Sequence, residues 1–316
     1  MRSEFGLAPV EIKTPRCGGN MIVLYSFFSA LLMAGFSMSI KVLLRYRLCD
    51  AGYVIFGINI ASGIIAAMVL LFVQENIPSE ARIAFAIMTG FVFVGHWLFS
   101  KALQEGDVSL VTPLLGLKIP MVALLAGIWL KEAFSGGIYV SIALSSLAIV
   151  FFGLGRQQKA LGGHGSHPLL AIGLAVLAAL SYSISDIFTR KTVELMSPFT
   201  GLLWLQMCMG VIGTMVLALP RYRQYRIQRV DYLLFGAAGA MLLGGIGLYM
   251  AAIHLAGNVT IPNIVLSWRG LFVFVMGLIW NTFASIPMER QSWGIYLLRL
   301  AGTGLLLAGL IFLYLS

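Results

Sequence analysis

The chain contains little charge. Only 10% of its 316 residues are Asp, Glu, Lys or Arg, whereas 59% are hydrophobic, and the mean hydropathy is +0.94. A soluble domain usually carries about 25% charged residues, because charge covers its surface. The shortage of charge therefore excludes an ordinary soluble globular protein, a disordered chain and a collagen-like fibre.

Cysteine is also rare. Cys17, Cys49 and Cys208 are odd in number, far apart, and form no CxxC pattern. Such spacing excludes a disulfide framework and a zinc site. We therefore expect no metal and no cofactor.

Acidic residues are scarcer than basic ones. The chain has 12 Asp and Glu against 21 Lys and Arg, a net charge of +9. In a chain this apolar, such an excess usually belongs to loops at a lipid surface. We therefore expect a lipid bilayer as the partner and no nucleic acid.

Long apolar runs are what the sequence has in abundance. A helix needs roughly 20 apolar residues to cross a bilayer core. Ten runs approach that length, at about 20–44, 52–73, 82–103, 107–130, 136–155, 168–188, 198–219, 232–254, 258–281 and 293–315. The runs are too long and too rich in glycine for barrel strands. We predict an all-α polytopic membrane protein with ten transmembrane helices.

The two halves of the chain resemble each other. A polar N-terminal tail, 1–19, precedes a first five-run repeat at 20–155, and a Gly-rich linker at 156–167 leads to a second repeat at 168–316. Two segments match in the same order in both halves: 34–40 with 178–184, and 106–109 with 257–260. Because five is odd, the second half enters the membrane in the opposite sense. We predict two five-helix repeats of inverted topology, a design in which transporters bind substrate near the bilayer midplane.

The turn between the third and fourth runs carries a family resemblance. Residues 102–109, followed by Pro113, Pro120 and Lys131-Glu132, together with the second copy at 252–260, resemble the drug/metabolite transporter superfamily in its ten-helix form with two EamA-like repeats. The resemblance covers about 20–315. It implies an alternating-access carrier, either a monomer or a homodimer.

The resemblance also implies a location. We expect an integral protein of the plasma membrane, such as a bacterial inner membrane, with both termini cytosolic. The basic residues of the loops do not support this orientation, because the side opposite the termini holds more of them.

Lys118 and Arg269 are the strongest candidates for substrate binding. They occupy equivalent places when 106–109 is aligned with 257–260, and each lies midway along its run. A charge at the bilayer centre costs roughly 2.5–3.5 kcal/mol on insertion scales, so both side chains should face an interior cavity. We expect them to hold an anionic group, Arg269 as a bidentate fork and Lys118 as a point charge. The alternative is pairing with backbone carbonyls or a buried carboxylate.

Five further residues are candidates for substrate contact. Thr112 and Asn263 are repeat-equivalent and lie six positions before the basic pair, so they could line the edge of a cavity. His96 could bind substrate or carry protons, and Tyr182 and Trp204 could pack on a sugar or base. For these three, ordinary interior packing is the alternative.

No carboxylate is expected deep inside a run. Asp186 falls close to the predicted end of the sixth run, at 188. The missing counter-charge for Lys118 and Arg269 would then come from a ligand. This expectation argues against proton coupling through a carboxylate and favours a uniporter or exchanger.

The leading function is a secondary transporter for a small organic anion, such as a phosphorylated metabolite, sugar phosphate or nucleotide sugar. In the organic-phosphate and nucleotide-sugar branches of the resembled superfamily, basic residues on equivalent helices contact phosphate. An exporter of amino acids or neutral metabolites is a second possibility. An intramembrane lipid-modifying enzyme is a third, but no nucleophile, acid–base pair or metal motif is present, so we expect no catalytic residues.

Overall fold

The computed structural model is built of helices. It describes residues 18–47, 50–73, 75–106, 111–112, 114–132, 134–153, 167–222, 229–283 and 293–315, and none of these is in a strand. The α-helices are α1 (Gly18–Arg47), α2 (Ala51–Leu70), α3 (Arg82–Glu105), α4 (Lys118–Leu125), α5 (Gly136–Gly153), α6 (Pro168–Leu195), α7 (Pro198–Leu217), α8 (Arg229–Ala256), α9 (Thr260–Leu266), α10 (Arg269–Phe283) and α11 (Trp293–Leu315). The predicted all-α class is confirmed.

Seven segments are long and apolar enough to cross a membrane: Asn20–Leu44, Ala51–Leu70, Ser79–Glu105, Leu169–Leu195, Pro198–Leu217, Asp231–Ala256 and Thr260–Trp280. Their outward faces carry large apolar side chains, such as Leu169, which is 84% exposed, and Ile83, which is 75% exposed. Outward apolar side chains of this kind suit a lipid surrounding rather than water. Three further apolar segments are shorter: Leu115–Leu130, Gly136–Ala148 and Leu300–Gly309.

Several predicted boundaries move. The sixth run was expected to end at 188, but α6 continues to Leu195. The ninth run was expected to be continuous, but it is divided into α9 and α10 by a turn at Ser267 and Trp268. The predicted tail at 1–19 and linker at 156–167 lie outside the described residues, apart from Gly18, Gly19 and His167.

The helices pack mainly across the boundary between the two halves of the chain. The largest contacts join α3 to α6, α1 to α8, α2 to α7, and α5 to α11. In addition, α4 packs on α6, and α1 packs on α9 and α10. The main buried core lies at these contacts, so the interior of the molecule is formed by both halves together.

Two glycines set the distance between α2 and α7. A Cβ atom added to Gly63 would lie 2.7 Å from the Cα of Gly210, and one added to Gly210 would lie 2.9 Å from the Cα of Gly63. No side chain fits in such a space. The two backbones therefore touch, as at other small-residue crossings in membranes.

An ion-pair cluster joins the start of one helix to the ends of two others. The Asp50 carboxylate caps α2 by accepting a hydrogen bond of 2.7 Å from the Gly52 amide. It also lies 2.8 Å from Lys101, at the end of α3, and 2.8 Å from Arg221, after α7. Asp50 thus links the start of α2 to the ends of two other helices.

Candidate functional site

A cavity of about 100 Å³ lies between the two halves of the bundle. That volume accommodates several water molecules or one small metabolite. Six of the seven residues predicted to bind substrate line it: His96, Thr112, Lys118, Tyr182, Asn263 and Arg269. Residues far apart in the sequence are brought together here because both halves contribute to the wall.

Lys118 and Arg269 each follow an interruption in a helix. Lys118 is the first residue of α4 and comes directly after a 3₁₀ turn at Leu115–Leu117. Pro120 has no N–H to donate to the carbonyl four residues earlier, which explains the irregular backbone before α4. Arg269 is the first residue of α10 and follows the turn after α9. Interrupted helices of this kind are tolerated at membrane depth where they line a cavity.

Lys118 has a buried carboxylate partner. Its Nζ lies 2.8 Å from Oδ2 of Asp186, and the two side chains are only 12% and 6% exposed. The expectation that no carboxylate lies deep in a span is therefore wrong. Because α6 runs from Pro168 to Leu195, Asp186 is well inside it rather than at its end.

Two neutral donors share the same carboxylate oxygen. Oδ2 of Asp186 accepts hydrogen bonds from the Tyr249 hydroxyl at 2.6 Å and from the Asn263 amide at 2.8 Å. Lys118 Nζ also lies 4.9 Å from the centre of the Tyr249 ring. This network ties α4, α6, α8 and α9 together around one buried carboxylate oxygen.

Arg269 is held differently. Its Nε and Nη2 donate to the Ser37 hydroxyl at 3.1 and 2.6 Å, and the guanidinium lies 4.9 Å from the centre of the Phe99 ring. Within the described part of the chain, Arg269 forms no ion pair with a carboxylate. When 34–40 is aligned with 178–184 and continued, Val42 takes the place of Asp186, so the second basic residue lacks an equivalent acid.

Two polar atoms in the wall are buried without a hydrogen bond to any described residue. They are Nδ1 of His96 and Oγ1 of Thr112. Buried polar groups are nearly always satisfied, so each of these atoms calls for water or a ligand in the cavity. The His96 ring also lies between two aromatic rings, 6.0 Å from Phe36 and 5.8 Å from Tyr182, centre to centre.

Trp204 is the predicted site residue that the structure places elsewhere. Its indole N–H donates to the Glu75 carbonyl at 3.0 Å, in the connection between α2 and α3. The polar wall residues that sequence reasoning missed are Asp186, Tyr249, Ser185, Thr189 and Ser267, and it also missed Ser37, which accepts from Arg269. Asp186 could have been found only by extending the sixth run through its charged end.

Across the described ranges, no three His, Cys, Asp or Glu side chains come together as a metal site requires. The cavity wall offers ionic and hydrogen-bonding groups: two cations, one carboxylate, two phenols, an imidazole, an amide and four hydroxyls. Such a set can bind and orient a small polar or charged molecule.

Comparison with known proteins shows the fold alone. No family model matches the chain, and no curated protein matches it. Among solved structures, 29 chains match. One, described only as a crystal structure of a protein, is 11% identical and has a TM-score of 0.64, with 94% of this chain and 97% of that chain covered. The chain therefore shares its whole-length architecture with a protein of known structure.

Proposed function

We propose that the protein is a secondary transporter that moves a small organic anion across a membrane by alternating access. The observation that carries this proposal is the cavity between the two halves, with Lys118 and Arg269 in its wall, each at a helix interruption. Carriers typically bind substrate at such a place, near the midplane and between two repeats.

The helix contacts support ten spans in two inverted repeats. In this proposal the three shorter apolar segments also cross the membrane, and α9 with α10 forms one span. Exchanging the halves then exchanges α1 with α6, and α3 with α8. This exchange converts the contact of α1 with α8 into that of α6 with α3, and it leaves the contacts of α2 with α7 and of α5 with α11 unchanged. Such a pattern is expected of a pseudo-two-fold axis.

The family and the location belong to the same proposal. The turn sequences at 102–109 and 252–260 support membership of the drug/metabolite transporter superfamily, in its EamA-like form. Ten spans return the chain to its starting side, so both termini lie on one face. We place that face in the cytosol and the protein in the plasma membrane.

The charges favour an anion. Lys118 and Arg269 bring two positive charges to the cavity, and Asp186 neutralises only one. An excess positive charge in a buried place requires a counter-ion. Arg269 can offer its guanidinium fork to a carboxylate or phosphate. The volume of about 100 Å³ favours a compact anion over a nucleotide sugar.

A second candidate substrate is a zwitterion such as an amino acid. The specific observation that favours it is the presence of a carboxylate, Asp186, in the same wall as the unpaired guanidinium of Arg269. An α-carboxylate could bind Arg269 while an ammonium group binds Asp186. Zwitterion binding of this kind corresponds to the alternative function, an amino-acid exporter, and it would use the same cavity.

Binding and transport assays test the proposal. Purified protein is screened by thermal shift with pyruvate, succinate, glycerol 3-phosphate and leucine, and counterflow of the stabilising compound is then measured in liposomes. We expect at least one anion to stabilise the protein, and Lys118→Met and Arg269→Met to slow its exchange at least about tenfold, corresponding to 1.4 kcal/mol.

The matched control is Lys191→Met, which removes a cation that contacts the Phe188 ring and does not line the cavity. It should exchange at the wild-type rate. If no anion stabilises the protein, or if both cavity variants exchange like wild type, the anion carrier is wrong. Stabilisation by leucine alone would favour the zwitterion, and product formation from added lipid would favour an enzyme.

A further inference from the structure

We infer that Asp186 takes up a proton when a doubly charged anion enters the cavity, whereas a singly charged anion binds without one. The inference rests on the proposed function, because it concerns the same cavity and its ligand. It reverses the sequence-based argument against proton coupling, which depended on the absence of a carboxylate inside a span.

The side chains of the cavity wall carry one net formal positive charge. Lys118 and Arg269 are positive, and Asp186 is negative and lies 2.8 Å from Lys118. A singly charged anion brings the total to zero without further change. A doubly charged anion leaves one negative charge in excess, and an uncompensated buried charge is strongly unfavourable.

Asp186 is the group placed to remove that excess. A dianion that engages Lys118 withdraws the charged partner of the carboxylate, which then retains the neutral donors Tyr249 and Asn263. Two like charges in one site favour protonation of the weaker acid. The proton comes from water on the side from which the anion enters, forms an O–H bond at Asp186, and leaves on the side where the anion departs.

The other titratable or charged groups at the cavity have different surroundings. His96 on α3, Lys118 on α4, Tyr249 on α8, Arg269 on α10 and Tyr182 on α6 itself complete the set, and α7 contributes only the apolar Leu205. Of these, His96 is the alternative proton acceptor. Its Nδ1 lacks a partner among the described residues, but its ring packs between Phe36 and Tyr182 and forms no hydrogen bond with Lys118 or Asp186.

Two anions of similar shape and different charge provide the probe. Sulfate carries two charges and methanesulfonate carries one, and neither takes up a proton itself near neutral pH. Binding of each to wild-type protein is measured by calorimetry in several buffers of different ionisation enthalpy, which reports the protons exchanged. We expect about one proton taken up per sulfate and none per methanesulfonate. By linkage, sulfate affinity should rise up to about tenfold for each unit of falling pH, while methanesulfonate affinity stays constant.

Single-residue variants show which side chain takes up the proton. Asp186→Asn, which mimics the protonated acid, should bind sulfate without proton uptake. His96→Asn alters the cavity wall and can change sulfate affinity, but each sulfate that it binds should still bring about one proton. Asp50→Asn, which changes the carboxylate paired with Lys101 and Arg221 outside the cavity, is the control and should bind sulfate and take up the proton like wild type. The wild-type measurements remain decisive if Asp186→Asn does not fold. In liposomes, an inward sulfate gradient should acidify the lumen, and an inward methanesulfonate gradient should not.

Each other result overturns the inference. Equal proton uptake with both anions would contradict the inference, and so would uptake that is lost in His96→Asn and kept in Asp186→Asn. Failure of sulfate to bind when pyruvate or glycerol 3-phosphate binds would also contradict it. None of these three results would contradict the proposed carrier. If none of these anions binds, the proposed function itself fails, and the proton site fails with it.

Discussion

Lys118 Nζ lies 2.8 Å from Oδ2 of Asp186, and this ion pair joins α4 to α6 in the wall of the cavity. The sequence had predicted no carboxylate near either cation, so this ion pair changes the expected charge of the site. With it, Lys118 has a charged partner in the protein, whereas Arg269, the other cation of the cavity wall, has neutral contacts among the described residues. The two cations of the cavity therefore differ in their partners: one has a carboxylate and the other a hydroxyl and an aromatic ring.

The buried pair should show strong coupling in stability. Lys118→Met and Asp186→Asn each leave one buried charge without its partner, so each should lower the free energy of unfolding by about 3–5 kcal/mol. The double variant removes both charges and should lose clearly less than the sum. Thermal unfolding of the four proteins in detergent measures the coupling. Additive losses would mean that the two charges do not stabilise each other.

The apolar helices and the pair Lys118 and Arg269 could be predicted from the sequence, but the buried carboxylate of Asp186 could not. Apolar runs of span length predict helices because a bilayer leaves the backbone few other ways to satisfy its hydrogen bonds. The sixth run was ended too early because charged residues follow it. In the structure α6 continues through them, and its last turns are supported by the ion pair between Arg190 and Glu194, at 2.7 Å and four residues apart.

Partners across helices could not be predicted from one sequence. The network of Asp186 with Tyr249 and Asn263 depends on how three helices are rotated about their axes, which packing decides. The same reason explains Trp204. The position of Trp204 inside an apolar run does not show which face of α7 it occupies. Its indole N–H donates a hydrogen bond to the Glu75 carbonyl, and the side chain does not line the cavity.

The crossing of α2 and α7 should be intolerant of a single added methyl group. Gly63→Ala places a Cβ 2.7 Å from the Gly210 Cα, so the two backbones must separate, and we expect a loss of about 1–3 kcal/mol. Gly90→Ala is the matched control, because a Cβ there meets no other group within 4 Å. Unfolding temperatures of the two variants in the same detergent test this. Equal temperatures would show that the crossing has room to adjust.

Asp50 should make stability depend on pH at the acidic end. Burial alone would raise the pKa of this carboxyl, but Lys101, the Gly52 amide and Arg221 outweigh burial and lower it below 3.8. A lowered pKa means that the charged form stabilises the fold. The contribution is complete above the ordinary pKa and is lost as the pH falls through the folded-state pKa.

Asp50→Asn separates the cap from the charge. Asparagine can still accept the hydrogen bond from the Gly52 amide, since both side chains are good N-caps, but it forms no ion pair with Lys101 or Arg221. We expect this variant to be less stable than wild type at neutral pH and to lose less stability on acidification toward pH 3. Unfolding temperature against pH is the measurement. Parallel curves for the two proteins would rule out a role for the Asp50 charge.

Arg269 should be irreplaceable by lysine. Its guanidinium donates twice to Ser37 and lies on the Phe99 ring, an arrangement that holds the planar group in one orientation and that an ammonium cannot reproduce. We expect Arg269→Lys to weaken binding of the best-bound anion about tenfold and Arg269→Met to weaken it further. Lys191→Arg, which alters a cation outside the cavity, should bind like wild type. Affinities for the anion are measured by calorimetry. If Arg269→Lys binds the anion as tightly as wild type, recognition needs only the positive charge and not the orientation of the guanidinium.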